Sequence, residues 1–474
     1  MDLSLADVVT ASGGTTVLAA PDGCRRIRNL SWDSRRLDAQ TAFLALPGEH
    51  FDGNDFLSEA AELSPLLLAS RPTTVAERQR ASELGAALVE LQDPEWALGQ
   101  IARCWRGKLA AKVIGITGSS GKTSTKELLR VVLATAYRVS ASPGNFNNLL
   151  GLPAALLATD ADAEVLVLEM GMQHFGEIAR YAEIAGPQVA VLTNIGSAHL
   201  EMLGSREAIA RAKAELPGAL PDGEGLVVVN GDDPYTPYVL AVSGAEARQL
   251  TVLRYGLAEA NQVRATNIVY DGDGRPCFDI CFPDTLVKQL QLQLQGEHSV
   301  LNALAAAAVA WKLGVPVDVL RSALEQSRPP TQRQEVIELS SGTLIINDCY
   351  NANPESMRAA LTTLQRTRPE SPHIAVLGDM GELGPSEQQL HTDLGAEAAD
   401  LGLALLVCVG QKAAWIAAGA RQGGMPPSSV LYFSDWQEAV DRLLSILASR
   451  AVILVKASRS MALERITQAL IDSY

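Results

Sequence analysis

Cysteine, positive charge and long apolar runs are all scarce in this chain, and each scarcity closes off a class of protein. Six cysteines are spread over 474 residues. Cys277 and Cys281 form the only near pair, and no His/Cys cluster accompanies them. That argues against a disulfide framework and against a zinc site, and leaves free thiols in a reducing compartment. The net charge is -15, so neither nucleic acid nor an anionic membrane surface is expected as the main partner. An anionic substrate must then be met by local Lys and Arg. No apolar run approaches the roughly 18 residues of a membrane span. The opening Met1–Thr10 lacks the basic start and apolar core of a secretory signal, and a cytoplasmic protein is expected. No internal repeat or low-complexity tract stands out. What remains is an ordinary globular composition, 47% hydrophobic and 20% charged, in a chain long enough for about three domains.

The most informative stretch is Lys112–Thr125, KVIGITGSSGKTST. It starts as an apolar, β-branched run and breaks into Gly118-Ser119-Ser120-Gly121-Lys122-Thr123. From Ser124 to Ala134 it reads as a helix. Strand, glycine-rich loop and helix start make a phosphate cradle, because backbone N–H groups and the helix N-terminus both favour an anion. Lys122 would lie against the β- and γ-phosphates, and the Thr123 hydroxyl would be a Mg²⁺ ligand. The strict G-x-x-x-x-G-K-[ST] pattern is not met, since Ile116 takes the first glycine position. The alternative is a glycine-rich turn with a chance Gly-Lys-Thr, and the flanking strand and helix favour the cradle.

Three sections are expected, residues 1–108, 109–328 and 329–474. The first is a small α/β unit with a polar cluster, Ser31-Trp32-Asp33-Ser34-Arg35-Arg36. A strand at Thr41–Leu46 follows and runs into a Pro47-Gly48 turn. Two arginines among such turns suit a phosphorylated ligand, and a solvated hairpin fits equally. In the second section Asn145, Asn147 and Asn148 form a polar cluster. The runs Ala163–Glu169, Gln188–Asn194 and Leu226–Asn230 read as strands covered on both faces. Glu169 closes the first of these runs and His199 follows the second. Each sits after a strand of the loop's own sheet, so both are candidate Mg²⁺ ligands. A helix over Ser205–Leu216 carries Lys213. The third section begins at Pro329-Pro330, a linker signal. Its strands Thr343–Asp348, His373–Gly378, Leu405–Gly410 and Val452–Lys456 alternate with helical stretches. That pattern gives a parallel sheet with helices on both faces. Asp348, Asp379 and Lys456 then mark its ligand-binding edge. The fold class is α/β throughout: a small N-terminal domain, a central phosphate-loop ATPase-like domain and a Rossmann-like C-terminal domain.

Taken together, the motifs resemble those of the ATP-dependent Mur ligases, cytoplasmic enzymes that build the peptide of the peptidoglycan precursor. The resemblance spans essentially the whole chain. Gly118-x-x-Gly121-Lys122-Thr123 is that family's own form of the phosphate loop. Asn145-x-Asn147-Asn148-x-x-Gly151-x-Pro153, Glu169, Asn194-Ile-Gly-x-Ala-His199, Ala212-Lys213-x-Glu215, Asn302 and Arg333 fall in family order. Asp348-Cys-Tyr350-Asn351-Ala-Asn353-Pro354 and Leu377-Gly378-Asp379-Met-Gly-Glu382-Leu-Gly384 resemble the member that adds D-alanyl-D-alanine to UDP-N-acetylmuramoyl-tripeptide. Two positions depart from the usual pattern: Asn54 stands for His, and Ser299 for Asn.

The resemblance implies a reaction and a set of roles. ATP would phosphorylate the terminal carboxylate of the tripeptide, and the amine of D-Ala-D-Ala would attack the acyl phosphate. Gly118, Ser119, Ser120, Gly121, Lys122, Thr123 and Ser124 would bind ATP. Asn302 and Asp348 would hold its adenosine, and Arg333 would reach its γ-phosphate. Thr123 and Glu169 would share one Mg²⁺. His199 and a carbamylated Lys213 would serve a second, since a carbamate is an oxygen ligand where an ammonium would repel. Asn145, Asn147 and Asn148 would touch the peptide substrate, and Ser34 and Arg35 the uridine nucleotide. Lys456 or Arg459 would pair with the dipeptide carboxylate, or else simply hold the sheet end. A monomer is expected. A sister ligase adding another amine is the nearest alternative. A nucleotide switch is the more distant one, and the absence of any Asn-Lys pair removes its usual guanine motif.

Overall fold

The computed structural model describes residues 1–19, 22–23, 25–48, 50–446 and 450–473. Three mainly parallel sheets follow one another along the chain. The first has five strands, in the spatial order Thr15–Leu18, Ala87–Glu90, Leu66–Ala69, Thr41–Leu44 and Asn29–Ser31. The third has six, in the order Glu335–Glu338, Leu344–Asp348, Val452–Lys456, His373–Gly378, Leu405–Val409 and Val430–Phe433. Only its edge strand Glu335–Glu338 runs antiparallel.

The central sheet has nine strands. Lys112–Thr117 lies between Val165–Glu169 and Val189–Leu192, parallel to both, with Glu169 opposite Ile116. That register brings the acidic end of one strand beside the start of the glycine loop. Val165–Glu169 is buried along its whole length, and its side chains alternate between two cores. Val165 and Val167 join the cluster under the helices Lys122–Leu133 and Glu297–Lys312. Leu166 and Leu168 join the opposite cluster, which runs on into the N-terminal unit. The far side of the sheet is extended by Val263–Tyr270, Pro276–Cys281 and Leu286–Gln291, paired antiparallel. The sequence reading missed these strands. The first of them, Val263–Tyr270, alternates more and less buried positions, the mark of a sheet with one solvated face.

The expected helix over Ser205–Leu216 is broken. One helix covers Arg206–Lys213 and a short second one Glu215–Gly218. The ring of Pro217 cannot sit over the carbonyl of Lys213 four residues earlier, which stops the first helix there. Among the described residues, no helix is long and apolar enough to cross a membrane, and the five described cysteines are free.

Candidate functional site

Between the central and third sheets lies a cavity of about 700 Å³. The phosphate loop forms one wall. Strand Lys112–Thr117 ends at Gly118, and helix Lys122–Leu133 begins after Gly121. Gly121 has φ +80°, and a Cβ there would stand 2.4 Å from Asn302 Oδ1. At Gly118, φ +152°, a Cβ would fall 1.8 Å from Thr193 Oγ1. Neither position tolerates a side chain, and this close approach brings Asn302 to the loop. Asn194 organises the turn from below: its Oδ1 accepts from the N–H groups of Ser119 and Ser120 at 3.1 and 2.9 Å. Lys122 Nζ folds back on Gly118 O at 2.8 Å, and burial lowers its pKa against the opposing pull of Glu169.

The carboxylate expected to hold a metal is in place. Glu169 is buried, accepting from Thr123 Oγ1 at 2.6 Å and from Asn147 Nδ2 at 2.8 Å. Among the described residues, no cluster of three or more His, Cys, Asp or Glu is set to hold a metal. The oxygen donors of Thr123 and Glu169 nonetheless fit Mg²⁺, which keeps waters and phosphate oxygens and needs only one or two protein carboxylates. His199 lies across the cavity in left-handed backbone, φ +66°. Its Nδ1 is 2.5 Å from Glu382 Oε2, at an angle short of a regular hydrogen bond.

Lys213 is 1% exposed. Its amine has no hydrogen bond or ion pair among the described residues. Burial and the nearby Lys122 push its pKa well below the ordinary lysine value. A lysine kept neutral in this way is a nucleophile toward CO₂, and the carbamate so formed would be an oxygen donor.

The third sheet supplies the opposite wall. Arg333 stacks over the Tyr350 ring, its Cζ 3.8 Å from the centroid. Asp348 accepts from Lys456 Nζ at 2.7 Å and from Gln334 N at 3.3 Å. Lys456 also donates to Asn351 O at 2.8 Å, and its side chain is 3% exposed. Of the two readings left open for Lys456, pairing with a dipeptide carboxylate or holding the sheet end, this geometry favours the second. Its charge is already matched by Asp348, and its role is to hold that residue and the Tyr350–Asn351 turn. Arg459 is more open, donating to Gln332 Oε1 at 2.9 Å and Glu464 Oε1 at 2.8 Å.

Of the anticipated site residues, Ser119, Ser120, Gly121, Lys122, Thr123, Ser124, Asn145, Asn147, Asn148, Glu169, His199, Asn302, Arg333, Asp348, Lys456 and Arg459 all border this one cavity. Gly118 and Lys213 do not border it; Gly118 O accepts from Lys122 Nζ, and Lys213 is near enough to Lys122 to feel its charge. Ser34 and Arg35 are not brought to it. They form a short turn in the N-terminal unit, where Arg35 is exposed and paired with Asp33 at 2.8 Å. Residues absent from the anticipated set also border it, among them Asn194, Tyr350, Asn353, Glu355 and Glu382. Asn353 and Glu382 lie in motifs the sequence displays, whereas Glu355 carries no signal beyond being acidic in the first turn of a helix.

Comparison with known proteins agrees with this arrangement. The pattern of the Mur ligase middle domain matches residues 116–310, and that of the Mur ligase glutamate ligase domain matches residues 332–459. The chain is similar to the UDP-N-acetylmuramoyl-tripeptide–D-alanyl-D-alanine ligase of Bacillus subtilis (strain 168), at 33% identity over 94% of each chain. It is similar to the enzyme of the same name from Mycobacterium tuberculosis (strain H37Rv), at 35% identity over 99% of this chain and 98% of that one. Among solved structures, MurF from Acinetobacter baumannii superposes with a TM-score of 0.88 at 32% identity, covering 100% of this chain and 99% of that one. MurF from Thermotoga maritima in complex with ADP gives 0.81 at 30% identity, covering 94% and 97%.

Proposed function

The chain belongs to the Mur ligase family, and from that premise we propose that it joins D-alanyl-D-alanine to UDP-N-acetylmuramoyl-tripeptide at the expense of ATP, in the cytoplasm, during synthesis of the peptidoglycan precursor. The observation that carries the reading is the shared cavity. A phosphate loop with a buried carboxylate forms one wall, and the strand ends of a separate sheet face it across a gap sized for a nucleotide and a peptide end.

A carboxylate resists attack by an amine until one of its oxygens becomes a leaving group. In this reading ATP lies on the loop, with Ser119–Ser124 and Lys122 around its phosphates and Asn302 and Asp348 toward its adenosine. Arg333 leaves the Tyr350 ring to meet the γ-phosphate. Thr123 and Glu169, and His199 with a carbamylated Lys213, would hold Mg²⁺, which would supply charge neutralisation on the phosphates. The peptide carboxylate, guided by Asn145, Asn147 and Asn148, takes the γ-phosphoryl group and becomes an acyl phosphate. The neutral amine of the dipeptide attacks the carbonyl carbon, phosphate leaves with the P–O–C oxygen, and one proton is lost from nitrogen. Little covalent chemistry falls to the protein; it positions the reactants and stabilises charge. Ser34 and Arg35 remain the candidates for the uridine nucleotide. Their separation from the cavity suits a long substrate whose nucleotide end lies away from its reacting carboxylate.

Release of ADP measured against a panel of amines tests this. Turnover should depend on D-Ala-D-Ala and on the tripeptide nucleotide together, giving a product of their summed mass less one water. Equal or better turnover with a single amino acid would make the chain a sister ligase.

A further inference from the structure

The loop 193–199 links the phosphate loop to His199. Asn194 at its start holds Ser119 and Ser120 of the phosphate loop, and Gly196 N donates to Ser119 Oγ at 2.8 Å. His199 ends it. Two carboxylates from the third sheet's unit reach across the cavity onto this loop. Glu355 Oε1 accepts from Ser197 Oγ at 2.8 Å, and both of its oxygens lie 3.1 Å from Ser197 N. Ser197 is itself buried. Glu382 brings its carboxylate to His199 Nδ1 and its backbone carbonyl to Glu201 N, 3.0 Å away. Glu382 and His199 are both non-glycine residues in left-handed backbone, φ +59° and +66°. Strain of that kind persists only where the surroundings over-determine it. A third contact runs from Asn353 Nδ2 to Ser120 Oγ at 3.0 Å. Asn353 caps helix Pro354–Arg366 through Ser356 N at 2.8 Å, which sets Glu355 at the helix start facing Ser197.

Neither carboxylate has a task in the reaction described above. We propose that Glu355 and Glu382 are positioning residues, a two-point latch by which the C-terminal unit seats on loop 193–199. Docking sets the phosphate loop and His199 in their working geometry only when the cleft is shut. Glu355 is the stronger point, because a carboxylate on a buried hydroxyl and a backbone N–H makes charge-assisted bonds. Glu382 sets its carboxylate beside His199 Nδ1 and, through its backbone carbonyl, holds Glu201 N just beyond it. The effect on rate rests on the ligase reading; the effect on closure does not.

The test uses the full-length chain. Small-angle scattering is recorded with and without a non-hydrolysable ATP analogue, Mg²⁺ and the tripeptide nucleotide, alongside initial rates and analogue affinity, for wild type, Glu355→Ala, Glu355→Gln and Glu382→Ala. Wild type should contract on adding ligands. Glu355→Ala should lose most of that contraction and drop in kcat by at least about tenfold, with its affinity for the analogue alone changed less than about threefold. Glu355→Gln keeps one acceptor and should fall between; it carries the decision if the alanine variant folds poorly. Glu382→Ala should lose part of the contraction. Full contraction in Glu355→Ala or an unchanged kcat would overturn the latch, as would a wild type that never contracts. A wild type that contracts but makes no product would instead overturn the reaction.

Discussion

Helix Pro94–Arg106 meets the central unit through Leu98, Ile101, Ala102 and Trp105. These pack in one continuous cluster with Leu152, Leu156, Ile178 and Ile184. The third sheet meets the same central unit through Glu355, Asn353, Glu382, Arg366 and Arg368, and it keeps cores of its own. On the side away from the cavity, Arg368 N donates to Gly272 O at 2.7 Å, Arg368 Nε donates to Asp273 Oδ1 at 3.1 Å, and Arg366 lies over the Tyr270 ring. The first seam is built like the inside of a domain and the second like a transient interface, which water can enter and re-satisfy group by group. The difference divides the labour. On this account the shared core should keep the N-terminal and central units together as one body, with the chemistry in the polar seam. Hinging at Pro329-Pro330 would admit substrates, and closing would keep water from the acyl phosphate.

If that division is right, changes in the polar seam should cost turnover and spare stability, and changes in the apolar seam the reverse. The largest effect is expected at Lys122. Lys122→Ala should lower kcat by at least about a hundredfold while the melting temperature stays within about 2 °C; steady-state rates and calorimetry check both halves. Near-normal turnover would remove the phosphate loop from the account. Lys213→Ala should be nearly as inactive, with partial recovery in formate or acetate, which can occupy the place of the lost carbamate. Recovery is read from rates across a series of these acids, and its absence would leave Lys213 a buried lysine of no chemical use.

On the apolar side, Ile101→Ala should cost about 2–5 kcal/mol of stability, because it empties a fully buried position, with kcat per folded molecule unchanged. Denaturant titration and active-site counting give the two numbers. A variant that loses rate but not stability there would blur the two seams. Glu77, bonded to Arg71 in the N-terminal unit, tests whether that unit unfolds with the centre. Its pKa is lowered from 4.5 to about 2, chiefly by its bond with Arg71. The folded state thus holds fewer protons than the unfolded one between these values. The contribution is intact above pH 4.5 and is lost as pH falls toward about 2. Glu77→Gln should therefore flatten acid unfolding in that window. Fluorescence from both units should still fall together, as a shared core requires. The smallest effect belongs to Arg459, half-open and already paired. Arg459→Ala should raise the KM for D-Ala-D-Ala by about threefold and leave that for ATP alone, since exposed pairs are worth little. No change in any KM would place the acceptor carboxylate elsewhere.

How far the sequence showed this depends on whether the information is local. The phosphate loop was legible because strand, glycines and helix start are contiguous and their geometry follows from residue type. Glu169 was legible because it closes a wholly apolar strand. Lys456 was left between two readings because its partner, Asp348, lies 108 positions away in sequence, and an unpaired and a paired lysine look alike in one dimension. Glu355 left no trace for the same reason: nothing near it announces Ser197. The antiparallel strands after Val263 were overlooked for a different reason. They lack the continuous apolar runs that mark the parallel strands, since polar residues interrupt each of them: Arg264 and Asn267, Asp279, Lys288 and Gln289. The polar seam as a whole is a product of tertiary placement, which explains why contacts such as Glu355 to Ser197 left no signal in the sequence.

The most direct test of the central claim follows oxygen. The tripeptide nucleotide is prepared with both oxygens of its terminal carboxylate heavy-labelled, turned over with ATP and D-Ala-D-Ala, and the phosphate and product are weighed by mass spectrometry. An acyl phosphate formed in the closed cleft predicts one heavy oxygen in the released phosphate, one retained in the new amide, and ADP free of label. Unlabelled phosphate, or label appearing in AMP, would contradict it.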